Sequence, residues 1–483
     1  MILSQTIYRY FLLFFSTLLL TACQTFDGFY GNHYGSVEPM PTTVQSAHPA
    51  HVFPISKSQD VIGALAAVNT AEGDTLSDVA RHYGLGYTDI SIANPNIAPW
   101  TPKAGSSVLL PLQFILPEAP RKGIVLNLAT MRMFYYPKKQ ETVITYPVSI
   151  GREGWNTPMG LLQISNKTAN PEWHVPDSIH KEHALKGDIL PRVVRSGPYN
   201  PLGYYAMRLS NPRYLIHGTN KPYGIGMRVS HGCIQMYPED IEILFKSVSV
   251  GTPVYIVHQP YLAGWDNDML YIEIHDPVAA TSTKNGKKTQ FLKQLRKMAR
   301  SKNAQVDWNK VDQIMKRADG IPTPVLMNTP DVYQLAQQAN HLARPAALYG
   351  QPSVPPLTEN DWSILVDTYQ DETLAQRMTA MLTHQGPSIP ARKIAQNGSY
   401  QVIAGPFKDL KETNMIAKRI QYEFEIKVQP LEPATVTVGG SDSELPKINK
   451  KQPYRSKKPM RLSKRAKRTS VERQARSESM LQF

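Results

Sequence analysis

Residues 214–235 read YLIHGTNKPYGIGMRVSHGCIQ, and this stretch predicts both the fold and the chemistry of the 483-residue chain. Cys233 follows Gly232, a residue that permits a sharp turn and leaves the thiol open. A nucleophilic cysteine needs a nearby imidazole to take its proton, and His217 and His231 are both candidates for that base. The backbone N–H groups of Gly232 and Cys233 are candidate donors to a developing oxyanion.

The chain has two cysteines, too few for a disulfide framework. The apolar run 11–20 is shorter than the ~20 residues that a membrane-spanning helix needs, and is typical of a signal peptide. It ends in Leu20-Thr21-Ala22-Cys23, which resembles the bacterial lipobox and implies lipidation of Cys23; the alternative is an ordinary signal peptide with Cys23 as a bystander. Gln24 resembles the outer-membrane sorting signal of Gram-negative cells. We therefore expect a lipid-anchored protein on the periplasmic side of the envelope, with Cys233 as the thiol left for chemistry.

Positive charge is concentrated at the C-terminus. Residues 440–483 hold 13 Lys and Arg against 4 Asp and Glu, a net +9 of the chain's +14. Such a charged segment with few apolar residues is predicted to be disordered. An anionic polymer of the envelope is a suitable partner for it. Nucleic acid is not expected as a partner outside the cytoplasm.

Residues 121–258 contain many short apolar runs and one helix near residue 238, which predicts a β-sandwich or partly closed barrel. The IHGTN and SHGCI segments, 16 residues apart from His217 to Cys233, resemble the L,D-transpeptidase catalytic domain, also called the YkuD domain. Upstream Thr157-Pro158-Met159-Gly160 and downstream Gly251-Thr252-Pro253-Val254 match the same family, so that the resemblance covers the whole region.

This resemblance assigns roles to residues. Cys233 would be the acylated nucleophile, and His217 the general base and later the general acid. The Gly218 carbonyl would orient the His217 ring, while the Gly232 and Cys233 amides would form the oxyanion hole. Substrate-binding residues would be Thr219, Arg228, Ser230, His231 and Gln235, with Ser230 and His231 on the acceptor side.

One position departs from the family pattern. Gln235 stands where the family usually has Arg or Asn, so a fixed fork of charged donors is missing. Arg228 and Arg208 are candidate compensating cations. No cofactor or metal is expected, because His174, His180 and His183 lack the carboxylate spacing that would complete a zinc signature.

The implied reaction is acyl transfer on peptidoglycan. Cys233 would attack the diaminopimelate–D-Ala bond of a tetrapeptide stem, release D-Ala and pass the thioester to an amine. The acceptor would be a second stem, giving a 3-3 cross-link, or a protein that becomes attached to the wall. The alternatives are an L,D-carboxypeptidase, in which water resolves the thioester, and a catalytically impaired peptidoglycan-binding lipoprotein.

Two further modules flank this region in a multidomain, β-rich chain. Gly73-Asp74-Thr75-Leu76, the helix after it, Asn94-Pro95-Asn96 and the strand 108–111 resemble a βααβ LysM domain, which implies glycan binding; a spacer without sugar affinity is the alternative. Residues 362–395 and 400–431 form two βαβ halves that resemble an α+β SPOR domain, with an unrelated adaptor as the alternative. Both modules would bind glycan strands.

The predicted boundaries follow from these patterns. They are 1–22 for the signal peptide, 23–60 for a tether, 61–115 for the LysM-like module, 121–258 for the catalytic domain, 259–325 for a family-type extension, 326–360 for a Pro-rich linker, 361–433 for the SPOR-like domain and 434–483 for the basic tail.

Overall fold

The computed structural model describes residues 51–56, 58–138, 140–185, 190–275, 284–384 and 386–434. The signal peptide, Cys23 and nearly all of the basic tail lie outside these residues. Within the described ranges, no helix is both long and apolar enough to cross a membrane.

The N-terminal module has the predicted βααβ order. Its elements are β1 (Val52–Pro54), β2 (Val61–Gly63), β3 (Ala66–Asn69), α1 (Leu76–His82), α2 (Tyr87–Ala93), β4 (Ser107–Leu110) and β5 (Gln113–Ile115). Thr75 caps α1 reciprocally with Asp78, because the Thr75 hydroxyl accepts from the Asp78 N–H while the Asp78 carboxylate accepts from the Thr75 N–H. Strands β3 and β4 pair in antiparallel register behind the two helices.

The central domain is built on one large sheet. Its elements are β6 (Gly123–Asn127), β7 (Arg132–Tyr136), β8 (Thr142–Pro147), β9 (Ile150–Gly151), β10 (Gly160–Ala169), β11 (Trp173–His174), α3 (Asp177–Leu185), β12 (Val193–Val194), β13 (Tyr205–Leu209), β14 (Leu215–His217), β15 (Arg228–Ser230), β16 (Ile234–Gln235), α4 (Pro238–Ser247) and β17 (Pro253–Val257). Nine strands form the order β1-β8-β7-β6-β17-β10-β13-β14-β16. This is the β-rich architecture that the sequence predicted.

Both faces of this sheet are covered at β7. Because side chains alternate along a strand, Met133 and Tyr135 join the core of the central domain, whereas Phe134 and Tyr136 join the core of the N-terminal module. The two domains therefore share one sheet as a common wall. A bidentate ion pair from Arg81 to the buried Glu239, with both N–O distances at 2.9 Å, also joins them.

The predicted tether ends earlier than residue 60. Strand β1 pairs antiparallel with β8, with Val52 opposite Ile144. Pairing satisfies backbone groups that the edge of β8 would otherwise expose to solvent, which favours recruitment of the preceding segment.

The extension adds a small α+β unit, with β18 (Tyr261–Asp266), β19 (Met269–Ile274), α5 (Lys284–Ser301), α6 (Trp308–Arg317) and β20 (Thr323–Pro324). The prediction of a linker over 326–360 is wrong in part, because this segment forms α7 (Val332–Gln337) and β21 (Asn340–Leu342). Strand β21 adds to the edge of β3 in parallel register. Arg344 then pairs with the buried Asp74 at 2.5 and 2.9 Å, and a buried carboxylate requires such a partner.

The C-terminal domain has two βαβ halves, as predicted. Its elements are β22 (Trp362–Tyr369), α8 (Glu372–His384), β23 (Ala391–Gln396), β24 (Ser399–Phe407), α9 (Leu410–Phe424) and β25 (Gln429–Leu431). The strands form an antiparallel sheet in the order β23-β24-β22-β25. His384, at the end of α8, contacts the N-terminal module through Asp78, with 2.6 Å between Nε2 and Oδ1.

Candidate active site

The base candidate His217 lies on strand β14, and the nucleophile candidate Cys233 directly precedes the neighbouring strand β16. Strands β14 and β16 are parallel, with Ile216 opposite Ile234 and His217 opposite Gln235. Both isoleucines are fully buried in the domain core, and side chains alternate along a strand, so His217, Cys233 and Gln235 face the opposite side. All three line one cavity of about 930 Å³. The local fold thus brings a thiol and an imidazole into one pocket.

The His217 ring is held in one tautomer. Its Nδ1 lies 2.7 Å from the Gly218 carbonyl oxygen, which can only accept a hydrogen bond, so Nδ1 carries the hydrogen and Nε2 is unprotonated in the neutral ring. Burial lowers the pKa of His217 from 6.5 to about 4, although hydrogen bonds to the Gly218 and Leu202 carbonyls oppose this fall. At neutral pH the ring is therefore a base ready to accept a proton.

The Cys233 thiol is partly exposed at the cavity surface. Partial burial raises the pKa of the Cys233 thiol above its ordinary value, and a hydrogen bond with the Leu215 backbone and the positive charge of Arg208 oppose this rise. Its Sγ lies 3.9 Å from the Arg213 carbonyl oxygen. The raised pKa favours the protonated thiol at neutral pH, and the neutral His217 ring lines the same cavity.

The loop that presents the thiol is fixed by short hydrogen bonds. Gly232 has φ +102°, and a Cβ there would lie 3.0 Å from Cε1 of Tyr214. The Ser230 hydroxyl donates to the Cys233 carbonyl at 2.5 Å and accepts from the Gly232 N–H at 3.1 Å. Thr157 donates to the Gly232 carbonyl at 2.9 Å. The Gly232 N–H, predicted as an oxyanion donor, is therefore engaged by Ser230, which leaves the Cys233 N–H as the candidate donor.

His231 belongs to a cluster that the sequence did not reveal. Its Nε2 lies 3.0 Å from Arg152 Nη2 and 3.2 Å from Glu182 Oε2, and its ring packs edge-on against Trp155. Burial raises the pKa of Glu182, but hydrogen bonds from Arg152 and His231 outweigh it, and the pKa falls to about 2. These partners hold His231 within the cavity wall, so His217 is the better candidate for the base.

The remaining predicted residues divide into two groups. Thr219 and Gln235 line the cavity, and Thr219 Oγ1 accepts from the Lys221 N–H at 2.9 Å. Of the two candidate compensating cations, Arg208 lines the cavity and Arg228 does not. Arg228 lies on β15, where its charge contributes to the lowered pKa of His258 after burial and Lys287. Among the residues that the structure describes, no group of three His, Cys, Asp or Glu side chains could hold a metal ion.

Family models match three regions of the chain. The L,D-transpeptidase catalytic domain, YkuD, matches residues 121–256, the LysM domain 71–111 and the SPOR domain 358–426. The predictions of all three domain types are confirmed. LysM and SPOR domains bind peptidoglycan, on which a transpeptidase of this type acts.

Curated relatives match about half of the chain. The probable L,D-transpeptidase YbiS of Escherichia coli K12 is 37% identical over 268 residues, 54% of this chain and 87% of that protein. YcfS of the same organism is 41% identical over 213 residues, 43% of this chain and 67% of that protein. ErfK/SrfK of Salmonella typhimurium is 33% identical over 276 residues, 56% of this chain and 89% of that protein.

Solved structures show a weaker likeness. The Enterococcus faecium L,D-transpeptidase catalytic domain determined by NMR is 24% identical, with 29% of this chain and 99% of that chain covered and a TM-score of 0.23. A crystallised mutant of an E. faecium L,D-transpeptidase is 20% identical, with 28% of this chain and 49% of that chain covered and a TM-score of 0.21. Scores this low carry no argument, so the assignment rests on the sequence matches.

A catalytic domain joined to two glycan-binding domain types defines an enzyme that acts on peptidoglycan. The chain belongs to the L,D-transpeptidase family.

Proposed function

We propose that this protein is a cysteine-type peptidoglycan L,D-transpeptidase in which Cys233 attacks the diaminopimelate–D-Ala bond of a tetrapeptide stem. One observation carries the proposal: the Cys233 thiol and a neutral His217 ring with unprotonated Nε2 line the same cavity. A cavity of about 930 Å³ has room for a peptide stem.

In the first half-reaction, His217 Nε2 takes the thiol proton while Sγ forms a bond to the carbonyl carbon. The Cys233 N–H stabilises the oxyanion of the tetrahedral intermediate. When this intermediate collapses, the carbon–nitrogen bond breaks and the imidazolium gives its proton to the leaving amine of D-Ala. A thioester on Cys233 remains.

In the second half-reaction, an amine attacks the thioester and gives a proton to His217, which passes it to the departing Cys233 sulfur. The acceptor amine belongs to a neighbouring stem or to a protein that becomes attached to the wall. Water in place of the amine would give hydrolysis, and the same His217 would serve as base.

Mass spectrometry tests this reaction. Purified protein is incubated with a disaccharide-tetrapeptide, and the molecular masses of the products are measured. Loss of D-Ala with formation of a dimer supports transfer, tripeptide alone supports a carboxypeptidase, and unchanged substrate would contradict enzymatic function. Cys233→Ala should abolish all product, whereas Cys23→Ser, the matched change at the other cysteine, should retain it.

We further propose that Cys23 carries lipid and holds the protein on the periplasmic side of the envelope, in the outer membrane of a Gram-negative cell. The support is the sequence Leu20-Thr21-Ala22-Cys23 after an apolar run. The mature N-terminal peptide should carry a diacylglyceryl mass on Cys23. An unmodified cysteine in protein extracted from membranes would reject the anchor.

A further inference from the structure

The SPOR domain packs against the catalytic domain at the rim of the active-site cavity. The backbone of Gly386 touches that of Asn220 so closely that a Cβ at residue 386 would lie 1.5 Å from the Asn220 carbonyl oxygen. In the same region the guanidinium of Arg419, on α9, lies 5.8 Å from the ring centroid of Tyr199. The His384–Asp78 contact holds the end of α8 against the LysM module.

This packing makes the SPOR domain one wall of the cavity that contains Cys233. Its lining residues are Gly386, Met415, Ile416, Arg419, Tyr422 and Glu423. The cavity keeps about 930 Å³ with this wall in place, which is the size of a ligand pocket. The domain therefore borders the substrate space and does not fill it.

Arg419 is the residue of this wall with unused binding capacity. Its side chain is 11% exposed, Nη1 donates to the Pro387 carbonyl at 2.8 Å, and Nε lies 3.3 Å from Glu423 Oε2. Its Nη2 is buried and has no hydrogen-bond partner among the described residues. Leaving a charged donor buried without an acceptor is unfavourable, so a rotation of the Arg419 guanidinium that brings Nη2 to an acceptor on a ligand in the cavity would be stabilising.

The charge of the cavity indicates the kind of acceptor. Cationic side chains exceed carboxylates in its lining; the cations are Arg152, Arg208, Arg213, Lys221 and Arg419, and the carboxylates are Glu172 and Glu423. A guanidinium presents a planar fork of donors that matches a carboxylate. The stem peptide of the proposed substrate carries free carboxylates at D-Glu, at the D-centre of diaminopimelate and at terminal D-Ala.

We propose that the active site is composite: Arg419 of the SPOR domain binds a carboxylate of the stem peptide while Cys233 of the catalytic domain attacks it. This inference rests on the proposed function. SPOR domains bind peptidoglycan, and in this protein the SPOR domain would in addition recognise the substrate at the catalytic centre.

The test compares wild type and Arg419→Gln in the full chain on three disaccharide-tetrapeptides: one with free carboxylates, one amidated at D-Glu and one amidated at diaminopimelate. Loss of a charge-assisted hydrogen bond should lower kcat/KM roughly 10- to 100-fold, mainly through KM, on the free substrate. If Arg419 binds the D-Glu or the diaminopimelate carboxylate, the loss of kcat/KM should shrink on the substrate in which that carboxylate is amidated. If Arg419 binds the D-Ala carboxylate, the loss should persist on both amidated substrates and shrink on a fourth substrate that ends in D-alaninamide. An equal loss on all four substrates would mean a structural role for Arg419 and overturn the proposal. Inactive wild type would instead reject the proposed function itself.

A second pair of variants tests the wall without changing Arg419. Gly386→Ala places a methyl group against the Asn220 backbone and should separate the two domains, so kcat/KM should fall as in Arg419→Gln. Gly286→Ala, at an exposed position of α5 where a Cβ meets nothing within 4 Å, is the matched control and should leave activity unchanged. Unchanged or increased kcat/KM in Gly386→Ala would show a dispensable or inhibitory wall and contradict a composite site.

Discussion

The protonation of His217 gives the sharpest quantitative prediction. Burial lowers the pKa of this ring from 6.5 to about 4, so the base should remain neutral in mildly acidic solution. At pH 5.5, about 97% of a ring with that pKa is neutral, against about 9% of an ordinary histidine. We therefore expect kcat/KM to hold its plateau down to about pH 5 and to fall near pH 4, because this ratio reports the pKa of the free enzyme.

The same pKa predicts the stability of the fold. Above pH 6.5 the ring is neutral in both the folded and the unfolded chain. As the pH falls from 6.5 towards 4, the unfolded chain binds a proton that the folded protein excludes, so the free energy of unfolding decreases. For His217 this loss is about 2–3 kcal/mol between pH 7.5 and pH 4.5.

Two measurements check these figures. D-Ala release is followed across the pH range. Urea unfolding of wild type and His217→Gln is compared at pH 7.5 and 4.5, and the difference in unfolding free energy between the two proteins should change by about 2–3 kcal/mol. His341→Gln alters an exposed histidine on β21 and should follow wild type in both assays. A fall of kcat/KM centred at pH 6–7, with no change in the stability difference, would refute the argument that His217 is a buried neutral base.

Three further predictions concern the thiol loop and the domain contacts. Gly232→Ala imposes a side chain at φ +102° and against Tyr214; it should cost roughly 1–3 kcal/mol of unfolding free energy and slow acylation, as thermal melts and burst kinetics would show. Arg81→Met removes the bidentate ion-pair partner of the buried Glu239 carboxylate, so urea unfolding should show a loss of about 3–5 kcal/mol, and adding Glu239→Gln should restore most of it. Gln235→Arg places a charge beside the nucleophilic thiol, so the pH midpoint of its alkylation by iodoacetamide should fall; an unchanged midpoint would show that the new charge does not reach it.

The elements of the fold were predictable where local patterns determine them. The βααβ order around Thr75 and the two βαβ halves after Trp362 have clear caps and apolar periods, and the structure contains both. Strands β1 and β21 were missed because they have no core of their own. Strand β1 pairs with the edge of β8, and β21 pairs with the edge of β3. Such pairing depends on which strand edge lies next to the segment in the folded protein, which the local sequence does not indicate.

Some residues of the candidate active site were predictable from local motifs, and others were not. His217 and Cys233 are 16 residues apart in two short sequence motifs that end up on or next to the paired strands β14 and β16, so the motifs indicate both residues from sequence. Arg152 and Glu182, which fix His231, belong to no such motif. Glu182 lies on α3 and meets Arg152 and His231 only in the folded domain. The SPOR contribution was even less accessible: Arg419 lies 186 positions beyond Cys233, in a separate domain.

The raised pKa of Cys233 connects the chemistry with the compartment proposed for this protein. A free thiol in an oxidising periplasm is at risk because the thiolate is the form that oxidants attack. In the proposed mechanism, burial favours the protonated thiol of Cys233 until substrate brings a carbonyl within reach and His217 takes the proton. An arginine at position 235, one of the two residues expected there from the family pattern (Arg or Asn), would add a positive charge and favour the thiolate, whereas Gln235 adds none. On this reasoning Gln235 lowers the resting reactivity of the thiol without removing the nucleophile, and Gln235→Arg should lose activity faster than wild type under dilute hydrogen peroxide. Equal rates of inactivation would contradict this role for the uncharged residue.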